Sequence, residues 1–172
     1  MLLTGATILS IIAAMAAPDA PNPAPEPAPA QPTGFLDRSV TVDDVEYAYC
    51  VYVPRGYTPD KKWPIILFLH GSGERGDDGL KQTEIGIGRA IRLHRSRIPA
   101  IVVMPQCRPN DVWWSPKMTK MTFACMNAVG REFTIDPRRV YVTGLSLGGG
   151  GCWHFASLMI DQVAAVVPIC AL

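Results

Sequence analysis

Histidine is scarce in this chain. Only three occur in 172 residues, His70, His94 and His154, so any chemistry that needs an imidazole has three candidates. The five cysteines, Cys50, Cys107, Cys125, Cys152 and Cys170, never fall at metal-ligand spacings, and an odd number cannot all pair. Excess charge is missing as well. A net charge of +1 gives no argument for nucleic acid or an acidic membrane surface, both of which would call for a clustered excess of Lys and Arg. The apolar run Leu2 to Ala17 falls short of the ~20 residues of a spanning helix, so no stable membrane anchor is expected.

What is present divides into three stretches. Residues 1–17 are apolar and end in Ala14-Met15-Ala16-Ala17, small residues placed for signal-peptidase cleavage, which predicts a signal peptide and a secreted or periplasmic protein. No Lys or Arg precedes the apolar core, so the amino terminus alone supplies the positive charge. Residues 18–34 carry prolines at 18, 21, 23, 25, 27, 29 and 32, and read as an extended polyproline-like linker. Residues 35–172 have the composition of one globular domain.

Within that domain, Val45, Tyr47, Tyr49, Val51 and Val53 alternate with Glu46, Ala48, Cys50 and Tyr52, and Asp43-Asp44 turns the chain into an antiparallel hairpin. Ile65 to Leu69 and Ala100 to Met104 read as buried strands. Leu80, Ile87, Ala90 and Ile91 share a helical face, with Arg89, Arg92, His94, Arg95 and Arg97 forming a solvated basic run after it. Ser115-Pro116 starts a helix whose core stripe is Met118, Met121, Thr122, Cys125, Val129 and Phe133. Asp136-Pro137 turns into the strand Val140 to Val142. A helix bearing Trp153, Phe155, Leu158 and Met159 and a last buried strand, Val163 to Ile169, follow. Alternating strands and helices imply a mostly parallel sheet with helices on both faces.

The chemistry concentrates at two turns. Gly144-Leu145-Ser146-Leu147-Gly148 joins a strand to a helix and fits the GxSxG nucleophile elbow, where a strained serine leaves no room for a Cβ two positions either side. His70-Gly71-Ser72-Gly73 closes the strand Ile65 to Leu69, and its small residues suit backbone N–H groups that approach a substrate carbonyl. The acids Glu74, Asp77 and Asp78 lack further ligands at coordinating spacing and read as a helix-starting loop, not a metal site.

The runs LFLHGSGERGDDG, IVVMPQC, the Trp113-Trp114 pair, DPRRVYVTGLSLGG and AAVVPIC, in that order, resemble the secreted serine esterases of the α/β-hydrolase superfamily. The nearest likeness is to the phospholipase/carboxylesterase and polyhydroxybutyrate-depolymerase-like branch, often labelled prolyl-oligopeptidase-family hydrolases. The resemblance implies an α/β-hydrolase fold and an acyl-enzyme at Ser146, with an oxyanion hole of the Ser72 and Leu147 N–H groups. It implies a small or polymeric ester as substrate, and neither cofactor nor metal. Gly73, Trp113 and Trp114 are candidate pocket residues, although loop tryptophans also pack beneath loops. His70 is given a turn-stabilising role.

The resemblance also sets an order of serine, acid, histidine. Only His154 and Asp161 follow Ser146 as candidates, and eight residues along a helix put His154 about 12 Å away. The triad acid and base are therefore expected in two further strands beyond Leu172, which makes the chain an N-terminal portion with the last strands missing. Such a portion would be nearly inactive, and its exposed final strand would invite self-association. The cysteines are expected as buried thiols, with one or two disulfides open on export. Two other readings remain at this stage: a prolyl-oligopeptidase-like peptidase, and a non-catalytic α/β binding or assembly module.

Overall fold

The computed structural model describes residues 31–171. The proposed signal peptide and most of the linker lie outside the described residues. Six strands form one sheet: β1 (Gly34–Val42), β2 (Val45–Val53), β3 (Trp63–Leu69), β4 (Ile101–Pro105), β5 (Ile135–Leu145) and β6 (Val163–Ile169), in the order β1-β2-β4-β3-β5-β6. The first two pairings, β1 with β2 and β2 with β4, are antiparallel, and the rest are parallel. Three α-helices accompany them among the described residues: α1 (Gly86–Leu93), α2 (Pro116–Glu132) and α3 (Leu147–Leu158).

The hairpin forms where the alternation put it. Val42 pairs with Val45 across Asp43 and Asp44, whose φ values of 50° and 59° give the left-handed two-residue turn that matches strand twist. One face of β2 carries Tyr47, Tyr49, Val51 and Val53 into a large core with Ile65, Leu67, Ile101, Val103, Val142 and the buried residues of α2 and α3. Cys50 and Tyr52 on the other face meet Phe68, Val102, Met104 and Ile91 of α1 in a smaller core. Helices thus cover both faces, because β2 to β5 are apolar on both.

α2 begins as the sequence implies: the Ser115 hydroxyl accepts a hydrogen bond from the Met118 N–H at 3.2 Å, with Pro116 in the first turn. Met118, Met121, Thr122, Cys125 and Val129 are its buried stripe.

Four expectations need correction. Leu80 does not share the face of α1. Gly79 and Gly86 take φ values of +69° and +56°, so the chain turns twice before the helix starts, and Leu80 is left exposed. The basic run is not simply a solvated face either. Arg92 donates to the carbonyl and hydroxyl oxygens of Thr83 and lies 4.2 Å over the ring of Phe35, while Arg95–Arg97 form a separate 3-10 turn. Asp136-Pro137 lies inside β5, where the register shifts between Trp63 and Ile65, and Asp136 holds the irregularity by accepting from Arg138 N and Arg139 Nε. Finally, β6 pairs with β5 but is not buried, since Val167 is 55% exposed. Periodicity reports apolar character; it does not report whether a neighbour covers it.

Candidate active site

β5 and α3 meet at Ser146. Its backbone has φ 50° and ψ −112°, a conformation that costs a non-glycine residue about 1–3 kcal/mol and must be held by its surroundings. Two contacts hold it. The Ser146 N–H donates to Ile169 O at 2.8 Å, and Ser146 O accepts from Gly150 N at 3.1 Å in the first turn of α3. The flanking glycines are needed for space. A Cβ on Gly144 would stand 2.6 Å from Leu69 O, and one on Gly148 would run into that same oxygen, because β3 ends hard against the elbow.

That approach brings the two turns together. The point where a Cβ of Gly71 would lie is 3.8 Å from Ser146 Cβ and 3.6 Å from Leu145 O. Ser72, Gly73 and Glu74 continue from Gly71 as a short 3-10 turn, with Ser72 and Gly73 exposed to solvent. Leu147 opens α3, where the first N–H groups lack helical acceptors and the helix dipole is positive. Ser72, Leu147 and Ser146 therefore gather at the carboxyl ends of β3 and β5.

His70 is fully buried and fixes the Gly71-Ser72 turn. Its Nε2 accepts from Cys107 N at 2.9 Å, which leaves the Nδ1–H to donate to Gly71 O at 2.6 Å. Burial pushes its pKa down to about 4, so the ring is neutral and both nitrogens are occupied. Trp113 braces it from outside, donating from Nε1 to His70 O at 3.0 Å and meeting the imidazole edge-on. With no exposed surface, Trp113 packs beneath its loop and cannot line a pocket in this structure; Trp114 is 48% exposed. His154 is also engaged: Thr119 donates to Ser115 O, so His154 Nε2–H donates to Thr119 Oγ1 at 2.8 Å. His94 caps the end of α1. Among the described residues no histidine hydrogen-bonds to Ser146.

Sequence reasoning missed Gln106. This buried side chain accepts from Gly79 N at 2.7 Å through Oε1, and its Nε2 donates to Glu74 O at 3.0 Å and Asp78 Oδ1 at 3.1 Å. It staples the loop Glu74 to Gly79 against the end of β4. The available signal was a polar side chain placed directly after an apolar strand, which does not announce a partner. The loop acids go separate ways: Asp78 caps Leu80 N and Lys81 N, Asp77 lies 3.5 Å from Arg108, and Glu74 turns toward Gly71. They do not converge into a cage for a metal ion. All five cysteines are free thiols; burial raises those of Cys50 and Cys107 to about 11 and that of Cys152 to about 12, well away from reactivity.

No family model matches the chain. It is 27% identical over 125 residues to a bifunctional acetylxylan esterase/xylanase of Neocallimastix patriciarum, covering 69% of this chain and 17% of that protein. Against feruloyl esterase B of Piromyces equi the identity is 25% over 133 residues, covering 69% and 23%. A solved thermostable esterase superposes with a TM-score of 0.66 at 35% identity, over 79% of this chain and 40% of that one. This is an α/β-hydrolase fold. The chain spans about a fifth of the curated relatives' length and well under half of that esterase's. In this α/β-hydrolase fold Ser146 stands at the strand-to-helix elbow, and His70 braces the neighbouring Gly71 turn without a hydrogen bond to Ser146.

Proposed function

We propose that this protein hydrolyses carboxylic esters through an acyl-enzyme at Ser146. The observation that carries the reading is the strained backbone of Ser146 at the β5–α3 elbow, packed against the Gly71-Ser72 turn. Ser146 Oγ attacks the ester carbonyl and gives up its proton, and the N–H groups of Ser72 and Leu147 receive the oxyanion. Its collapse breaks the ester C–O bond so that the alkoxide leaves with that proton as the alcohol, and water then adds to the acyl-enzyme, releasing the acid and restoring the Ser146 hydroxyl. The esterase relatives support an ester as substrate, with feruloyl and acetylxylan esters as the first to try. The proposal includes export by the leader at residues 1–17 and self-association along β6.

A second reading, a non-catalytic α/β module, is favoured by one observation: His70 and His154 both spend their hydrogen bonds elsewhere. A serine without a base is a weak nucleophile. One experiment separates the two. The full chain and Ser146→Ala are treated with a fluorophosphonate probe and 4-nitrophenyl acetate. Labelling at Ser146 with turnover that the variant loses by about 10³-fold or more supports the esterase. A folded chain that neither labels nor turns over, alone or expressed with any coding sequence that follows Leu172, leaves the non-catalytic module.

A further inference from the structure

Glu74 is a carboxylate beside the elbow with no side-chain partner among the described residues. Its Oε2 lies 3.1 Å from the point where a Cβ of Gly71 would stand, and Ser146 Cβ is 3.8 Å from that same point. Its main chain is fixed from behind by Gln106, whose Nε2 donates to Glu74 O. The neighbouring acids are used within the fold, Asp77 beside Arg108 and Asp78 as a cap. Among the described residues the Glu74 carboxylate has neither an ion-pair nor a side-chain hydrogen-bond partner.

The sign of its charge narrows what it serves. A carboxylate so close would oppose the oxyanion, so it does not assist that step. A cationic substrate would be attracted, but Arg75 is the next residue, and its charge reaches His70 and Cys107 behind the same turn. Neutral hydroxyls remain. An ionised carboxylate is a pure acceptor with several lone-pair sites, well matched to adjacent hydroxyls on one ligand.

We infer that Glu74 is a specificity-determining residue that accepts hydrogen bonds from hydroxyls on the alcohol side of the substrate, directing the site to esters of polyhydroxylated alcohols such as sugars. This rests on the esterase reading of Ser146. A partly buried acceptor is left short of donors when an alkyl or aryl ester binds, whereas a sugar ester supplies them.

The test compares kcat/KM of the full chain, Glu74→Gln and Glu74→Ala on acetylated xylo-oligosaccharide, 4-nitrophenyl acetate and acetylcholine. Glu74→Ala is expected to lower the sugar-ester value ~10- to 100-fold more than the aryl-ester value, with Glu74→Gln between because its amide oxygen still accepts. Equal losses on both esters, no loss on the sugar ester, or the greatest loss on the choline ester would each overturn the assignment. Absence of both labelling and turnover in the wild-type chain, alone or expressed with any coding sequence that follows Leu172, sinks the esterase reading itself, and the specificity role of Glu74 falls with it. Calorimetry of xylose acetate binding to Ser146→Ala separates the two failures: weaker binding when Glu74→Ala is added upholds the hydroxyl contact, and unchanged binding ends it.

Discussion

The two ends of the β5–α3 unit are built to different standards. At the elbow, Ser146, Gly148, His70, Trp113 and Gln106 interlock through backbone contacts and buried hydrogen bonds, and almost nothing there has room to move. On the outer side of α3 Trp153 is 60% exposed, in the turn that follows it Ile160 is 76% exposed, and β6 has β5 as its one strand neighbour among the described residues. Close backbone packing and satisfied polar groups fix a geometry, whereas apolar character alone fixes only that a surface prefers to be covered.

The sharpest way to break that contrast is a methyl group. Gly148→Ala drives a Cβ into the Leu69 carbonyl oxygen, which is backbone and cannot rotate away. A loss of more than about 4 kcal/mol is expected by denaturant unfolding, and a loss under 1 kcal/mol would show that the elbow yields. Next comes proton uptake at His70. The unfolded chain binds that proton near 6.5 and the folded chain only near pH 4, so the unfolded state holds the extra proton between them. Stability should be flat above pH 6.5 and fall by roughly 3 kcal/mol toward pH 4. His70→Asn should flatten that slope; an unchanged slope would place the titration elsewhere.

Removing the staple is expected to cost less. Gln106→Ala frees Gly79 N and Glu74 O from a buried partner, for a loss of about 1–3 kcal/mol and faster hydrogen exchange at Gly79. In the opposite direction, Gly130 in α2 has open space around its Cβ position, and Gly130→Ala should stabilise by about 0.5–1 kcal/mol. The smallest effect belongs to the loose end: Val167→Lys should change stability within about 0.5 kcal/mol. If β6 associates, the variant should stay monomeric to a higher concentration in sedimentation; loss of concentration-dependent association supports the edge contact, and identical profiles refute it.

Much of this was legible because it is local. The hairpin at Asp43-Asp44, the Ser115 cap and the methionine stripe of α2 each follow from a few neighbouring residues. Leu80 was misplaced because two left-handed glycines, not the apolar pattern, decide where α1 begins. Trp113 carried two equally good readings until the fold set its indole against His70 O. Gln106 was invisible, since its partners lie 27 and 32 residues away.

The sequence by itself determined the order of strands and helices and the two turns after β3 and β5, with Ser146 at the strand-to-helix elbow, because periodicity, caps and glycine spacing act over a few residues. Only the tertiary structure decided that β3 ends against Gly148, that both His70 nitrogens are occupied, that the Glu74 carboxylate lies beside Gly71 at the elbow, and that β6 lies exposed. Those outcomes depend on which distant backbone groups meet, and no local pattern encodes that.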